Sequence, residues 1–291
     1  MSNEVCQSRR RAATSSVPSV IIDAWMQHPT LRMVGSPIFA SLRRWIGEEL
    51  PTEEIPIDLT IAAMDVAGVS KATLSAWSSP RYGEMISNAE VAGWVAEHPE
   101  RFVGLASADL DTPMESVREL RRRVKDDGFK GLRMLPWLWD AAPTDRRYYP
   151  LYAECVELGV PFCTQVGHAG PLMPSEPGRP IPYIDQIAID FPELVIVCGH
   201  AGYPWTEEMV AVARKHANVY IDTSAWTLAR LPQELVAYMK TGSGRHKVLF
   251  GSNFPMVTPQ AALAGLDGLE LDDETRDLFL SANAQRVFDL S

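Results

Sequence analysis

Short apolar, β-branched runs recur along the chain, with longer amphipathic stretches between them. The runs are VIIDA (20–24), ATLSAW (72–77), FVGLAS (102–107), FKGLRM (129–134), PFCTQVG (161–167), LVIVCGH (194–200), VYIDTS (219–224) and KVLFGS (247–252). Each is short and rich in residues that suit a pleated, buried surface, so each predicts a strand. The segments between them carry apolar residues three and four apart, which predicts helices over 58–68, 88–98, 114–128, 148–159, 183–191, 206–216 and 232–242, with 281–290 closing the chain. Gly68, Gly128 and Gly159 stand where helices end, and Asn88 stands as the N-cap of the second.

Strands alternating with helices predict a parallel sheet. After the first interval the runs start about 25–33 residues apart, against roughly 30 for one βα unit. Eight such units predict an α/β fold, a distorted (β/α)8 TIM barrel in a single domain. The rival is an open doubly wound sheet. That fold carries a glycine-rich phosphate loop after its first strand, and Trp25-Met26-Gln27-His28-Pro29 is no such loop. The oversized first interval predicts an insertion after strand 1, with a helix over 36–50 that serves as a lid or as a packing element. Residues 1–16 are expected to form a flexible arm and 17–291 the barrel. The Pro-rich 170–182 reads as a rigid loop on the catalytic face.

Composition narrows the partners. Of 291 residues, 46% are hydrophobic and 22% charged, which is ordinary for a globular chain. A net charge of −10 argues against nucleic acid or an anionic membrane as partner. A small anionic substrate stays compatible, since one local cation overrides the mean. Cys6, Cys155, Cys163 and Cys198 form no C-x-x-C pair, and two lie inside apolar runs. They read as free buried thiols in a reducing, cytoplasmic compartment. No apolar run reaches the ~18 residues of a membrane span, and no leader is evident at the N-terminus.

Barrel chemistry gathers at strand C-termini. His168 and His200 sit there in two G-H-A-G contexts, where small neighbours leave an imidazole uncovered. Imidazole suits general acid/base work; a histidine satisfied by its neighbours is the plainer alternative. Arg133 is read as a clamp on a substrate carboxylate or as an ion pair with Asp109 or Asp222, with Lys130 deeper in the same strand. Asp222 is a candidate base or a group that orients a histidine, and Asp23 is read in the second of these roles. Trp25, Trp137, Trp226 and Tyr203, with Trp77 and Trp139, predict an aromatic-lined mouth. Gln27 and Asn253 supply amides to it.

The segments IDA-x-x-x-H-P (22–29), GFKGLRMLP (128–136), VGHAGP (166–171), FPELVIVCGHAG (191–202), NVYIDTSAW (218–226), VLFGSNFP (248–255) and NAQRVFDL (283–290) follow in order. Together they resemble the amidohydrolase superfamily, in particular the amidohydrolase-related branch with aminocarboxymuconate-semialdehyde decarboxylase, resorcylate-type decarboxylases and small lactone hydrolases. The resemblance implies a divalent ion, usually zinc. Its ligands would be an H-x-H after the first strand, a His on the fifth and an Asp on the eighth, while a His on the sixth handles a proton. Here the H-x-H positions hold Trp25 and Gln27, the Asp position holds Asn253, and only His168 and His200 match. An indole N–H offers no lone pair, and neutral amides are weak zinc ligands.

No cofactor is therefore expected. Zinc or another divalent ion would need a rearranged set around His168, His200 and a carboxylate. Three functions follow. One is a hydrolase or decarboxylase for a small carboxylated, aromatic or lactone-type substrate that uses the histidines as acid/base without metal. Another is a catalytically degenerate subunit of an intact relative. The third is a metal hydrolase with a rearranged site. Homo-oligomers, or hetero-oligomers with a related subunit, are the expected assemblies. A pocket filled by Trp25 favours the second function, and histidines that reach solvent favour the first.

Overall fold

The computed structural model describes residues 20–40, 43 and 52–290. The expected arm over 1–16 and most of the expected 36–50 helix lie outside them. Eight barrel strands are present: β1 (Ile22–Met26), β2 (Lys71–Ser75), β3 (Phe102–Leu105), β4 (Leu132–Met134), β5 (Phe162–Gln165), β6 (Ile196–Gly199), β7 (Val219–Asp222) and β8 (Val248–Leu249). They match the eight apolar runs in order. Neighbours pair in parallel within β1–β2–β3 and within β4–β5–β6–β7–β8. Backbone bonds close the ring at both seams. Ala106 N donates to Gly131 O and Arg133 N to Ala106 O beside β3 and β4. Ala24 N donates to Phe250 O and Asn253 N to Trp25 O beside β1 and β8.

Helices cover the outside at Ile57–Ala67, Asn88–Glu97, Pro113–Asp126, Tyr149–Leu158, Asp185–Asp190, Thr206–Lys215, Gln233–Met239 and Asn283–Phe288. The second helix is capped by Ser87, one residue before the expected Asn88. Ser87 Oγ accepts from Glu90 N and the Glu90 carboxylate accepts from Ser87 N, a reciprocal box that Asn88 has no glutamate in register to form. Between β2 and that helix the chain makes an unforeseen antiparallel hairpin, Trp77–Ser79 with Gly83–Ile86. Cys155, Cys163 and Cys198 are free, buried thiols. Among the described residues no helix is long and apolar enough to cross a membrane.

One irregularity shapes the barrel interior. Asp23 pairs with Ala72 and Met26 with Leu74, so Ala24 and Trp25 together stand opposite Thr73. This surplus residue is a β-bulge, which re-aims a side chain. Asp23 Oδ1 pins it by accepting from Trp25 N and from Ser252 N, both at 3.0 Å. The Trp25 indole is wholly buried. Two glycines make room for it: a Cβ on Gly199 would lie 2.5 Å from the indole ring, and one on Gly251 would lie 3.0 Å from the Trp25 Cβ.

Two variants probe this arrangement. Gly199→Ala forces its methyl into the indole and is expected to lower stability by about 1–3 kcal/mol in denaturant melts; an unchanged midpoint would mean the ring is loosely held. Asp23 is pushed up to about 7, chiefly by burial. Between the ordinary carboxylate range and that value the unfolded chain has lost a proton that the folded chain keeps, so rising pH removes stability. Asp23→Asn keeps the acceptor and removes the titration. Its stability relative to wild type should rise between about pH 4 and about pH 7, most steeply by about 1.4 kcal/mol per pH unit, and level off above. A difference independent of pH would contradict the buried acid.

Candidate functional site

Arg133 enters from β4 with 1% of its surface exposed. Its guanidinium carbon stands 4.1 Å from the centroid of the Trp25 ring. Nη1 donates to Met26 O at 3.0 Å, and Nη2 donates to Thr73 Oγ1 at 3.0 Å and Ala24 O at 3.3 Å. Nε has no partner among the described residues. Burial pushes its pKa down to about 10, so it stays cationic at neutral pH. The electron-rich face of the indole and the β1 carbonyls do what a counter-ion would do. The expected carboxylate clamp is thus shut off from solvent. The expected ion pair is not formed either, because the donors go to carbonyls and a hydroxyl; Asp109 lines a separate cleft. Lys130, expected deeper in the strand, instead reaches Asp289 at 3.2 Å near the surface.

His200 follows β6 and is part-buried. It starts three consecutive residues with left-handed backbone, at φ 73° for His200, 57° for Ala201 and 78° for Gly202. Its ring meets Trp25 edge-on at 5.2 Å. Nδ1 lies 2.8 Å from Ser224 Oγ, and the His200 backbone N–H donates to the same oxygen at 3.1 Å. Burial, then the charges of Arg133 and His168, push the imidazole down to about 3. It is neutral at physiological pH. Trp226 Nε1 donates to His200 O at 3.3 Å.

From there an aromatic run leads outward. Trp226 meets Tyr203 edge-on at 5.3 Å, and Tyr203 meets His168 at 6.0 Å. Tyr203 is 47% exposed and His168 is exposed. The loop carrying His168 is fixed by backbone. His168 N donates to Tyr203 O at 2.7 Å, and His168 O accepts from Gln165 Nε2 at 3.1 Å. Gln165 Oε1 in turn accepts from Trp137 Nε1 at 2.8 Å. Trp137 is therefore buried behind the mouth as a brace for β5, with Trp77 edge-on at 6.0 Å. His168, Tyr203, Trp226, His200, Trp25 and Arg133 form one continuous series from the surface to the barrel interior.

The remaining candidates are placed differently from expectation. Gln27 is wholly buried, and its Nε2 donates to Phe254 O and, at 3.2 Å, to Asn253 Oδ1. It ties β1 to the segment after β8, while its buried Oε1 has no partner among the described residues. Asn253 is 8% exposed, and its amide NH2 has no partner among the described residues. Asp222 is sealed: Oδ1 accepts from Ser224 N at 2.6 Å, Oδ2 has no hydrogen-bond partner among the described residues, and burial pushes it up to about 6. It cannot touch a substrate at the mouth. Asp23, expected to orient a histidine, pins backbone instead. His28 is held by Thr60 Oγ1 at 2.7 Å and Ile55 O at 2.9 Å.

Sequence reasoning missed Ser224, although a hydroxyl two residues beyond the β7 aspartate is its signal. It also missed a cleft of about 710 Å³ beside the mouth, lined by Ser78, Asn88, Ser107, Asp109, Arg122 and Trp139. Neither His168 nor His200 lines that cleft.

Comparison with known proteins agrees with this geometry. A family profile described as Amidohydrolase matches residues 63–290. A 2-amino-3-carboxymuconate-6-semialdehyde decarboxylase of Dictyostelium discoideum is 32% identical over 72 residues, 25% of this chain and 20% of that protein. The chain thus matches about a fifth of that relative's length. An uncharacterized TIM-barrel protein of Bordetella bronchiseptica superposes with TM-score 0.78 at 25% identity, covering 92% of this chain and 98% of the other. A 2,6-dihydroxybenzoate decarboxylase from Rhizobium superposes with TM-score 0.66 at 20% identity, over 93% and 99% of the two chains. A 5-carboxyvanillate decarboxylase of Sphingomonas paucimobilis does so with TM-score 0.66 at 18% identity, over 94% and 99%. These last two likenesses concern the fold. With a closed eight-stranded barrel and a family profile that runs over most of its length, the chain belongs to the amidohydrolase family.

Proposed function

We propose that this protein is a carboxy-lyase for a small hydroxylated aromatic acid and works without a resident divalent ion. The single observation that carries the reading is the pairing of two unlike histidines over an aromatic floor. His168 is exposed to solvent, while His200 is held neutral against Trp25. Trp226 and Tyr203 offer faces for a planar ring, and Asn253 keeps a free amide for an oxygen. The barrel relatives that act on aromatic carboxylic acids support the substrate class.

The donor chemistry does not suit a divalent ion. An indole without a lone pair occupies one ligand position of the family pattern and a neutral amide, a weak ligand, another, with a guanidinium 4.1 Å from the indole ring. Among the described residues no group of three His, Cys, Asp or Glu is placed to hold a metal. The step can proceed with protein groups alone. Protonated His168 gives its proton to the ring carbon that bears the carboxylate. The bond to the carboxylate carbon breaks, its electron pair returns to the ring, and CO2 leaves. His168 regains a proton from water.

A second reading rests on Trp25. Its indole fills the barrel floor, which is also what a subunit without chemistry would show. Such a protein would release no CO2 alone and would act only beside an intact relative.

The test is CO2 release from hydroxybenzoates and their methoxy analogues with a strong chelator present. Turnover is expected, and His168→Gln should lower kcat by about 10²–10⁴-fold. No turnover of any aromatic acid, with or without added metal, would overturn the proposal. Turnover that chelator abolishes and zinc restores would overturn its metal-free part.

A further inference from the structure

The Ser224 hydroxyl decides which nitrogen of His200 carries the proton. A serine has one hydrogen to give and two lone pairs. Ser224 is wholly buried, so water does not complete its bonding. One lone pair accepts the His200 backbone N–H at 3.1 Å. The remaining contact is His200 Nδ1, at 2.8 Å. If Nδ1 carried the proton, it would take the second lone pair, and the serine hydrogen would need another acceptor. Among the described residues the one rival nearby is Asp222, whose ionised form the Ser224 hydroxyl favours. Yet Asp222 Oδ1 already accepts from Ser224 N at 2.6 Å, and Oδ2 makes no hydrogen bond to the described residues, the Ser224 hydroxyl included. Nδ1 is the acceptor with good geometry.

We infer that Ser224 is a positioning residue that donates to His200 Nδ1 and so fixes His200 as a neutral imidazole with its proton on Nε2. Nε2 makes no hydrogen bond to the described residues, and the part-exposed ring stands at the mouth. His200 then presents a fixed N–H donor, not a base. Its fitting partner is an oxygen with spare lone pairs, such as a carboxylate or phenolate oxygen, and charge that develops there is stabilised. The charged groups that face the ring, Arg133 and His168, both disfavour a second proton on it. Proton transfer falls to His168 alone. Naming the oxygen rests on the proposed decarboxylation; the tautomer does not.

The test reads the tautomer directly, by long-range ¹H–¹⁵N correlation on protein labelled at histidine, without substrate. His200→Gln identifies the His200 signals by their loss. Wild type should show Nδ1 in the unprotonated range and Nε2 in the protonated range, unchanged from about pH 5 to about pH 8. Ser224→Ala should shift both nitrogens toward a tautomer mixture, and Ser224→Thr, which keeps the hydroxyl, should restore the wild-type pattern. A protonated Nδ1 in wild type, the signature of a relay from Asp222 through Ser224, would overturn the inference. So would titration of His200 within that pH range. If Ser224→Ala does not fold, the wild-type spectrum decides alone. The spectrum stands apart from the CO2 assay, so either idea can fail without the other.

Discussion

A guanidinium and an indole, 4.1 Å apart inside a closed barrel, set the terms for everything at the mouth. A bare charge in such a place is costly. Arg133 is tolerated because two β1 carbonyls and the β2 hydroxyl of Thr73 accept its protons and the Trp25 face supplies about 2 kcal/mol when desolvated. That pair needs the indole turned inward, which needs the bulge in β1, which needs Asp23 to hold two backbone N–H groups. Gly199 and Gly251 leave the space. Each element fails without the next, so the floor behaves as one unit.

The floor then acts on the histidines. A fixed cation beside His200 disfavours a second positive charge, and burial works in the same direction. The imidazole that touches Trp25 is therefore a neutral group, while His168 lies beyond Tyr203 at the surface. Two histidines from nearly identical sequence contexts receive different environments, and the difference comes from depth and from the cation that lies at that depth.

The fold was legible because its signal is repeated. Eight apolar runs at a regular interval name both the strands and their parallel pairing, and no single run had to be right. The site was legible in its residue types and less so in its roles. His168, His200, Trp226 and Tyr203 do meet at one mouth. Arg133 and Gln27 were misjudged because both depend on a one-residue bulge, and a bulge leaves no mark on hydrophobic periodicity. Asp222 looked like a base because a strand-end carboxylate usually faces the mouth; Ser224 N–H draws it inward. Ser87 displaced Asn88 as a cap because only Ser87 has Glu90 three residues on. In each case the deciding contact is local geometry between residues far apart in, or one step off, the expected register.

The most direct check on the Arg133–Trp25 floor is the metal content of the full chain, by elemental analysis. The protein would be purified without chelator, incubated with zinc and then manganese, and desalted. An indole and an amide in the place of two histidine ligands, with a guanidinium against the indole, predict metal far below one equivalent per chain. About one equivalent retained after desalting, at the level a four-ligand site holds, would contradict it.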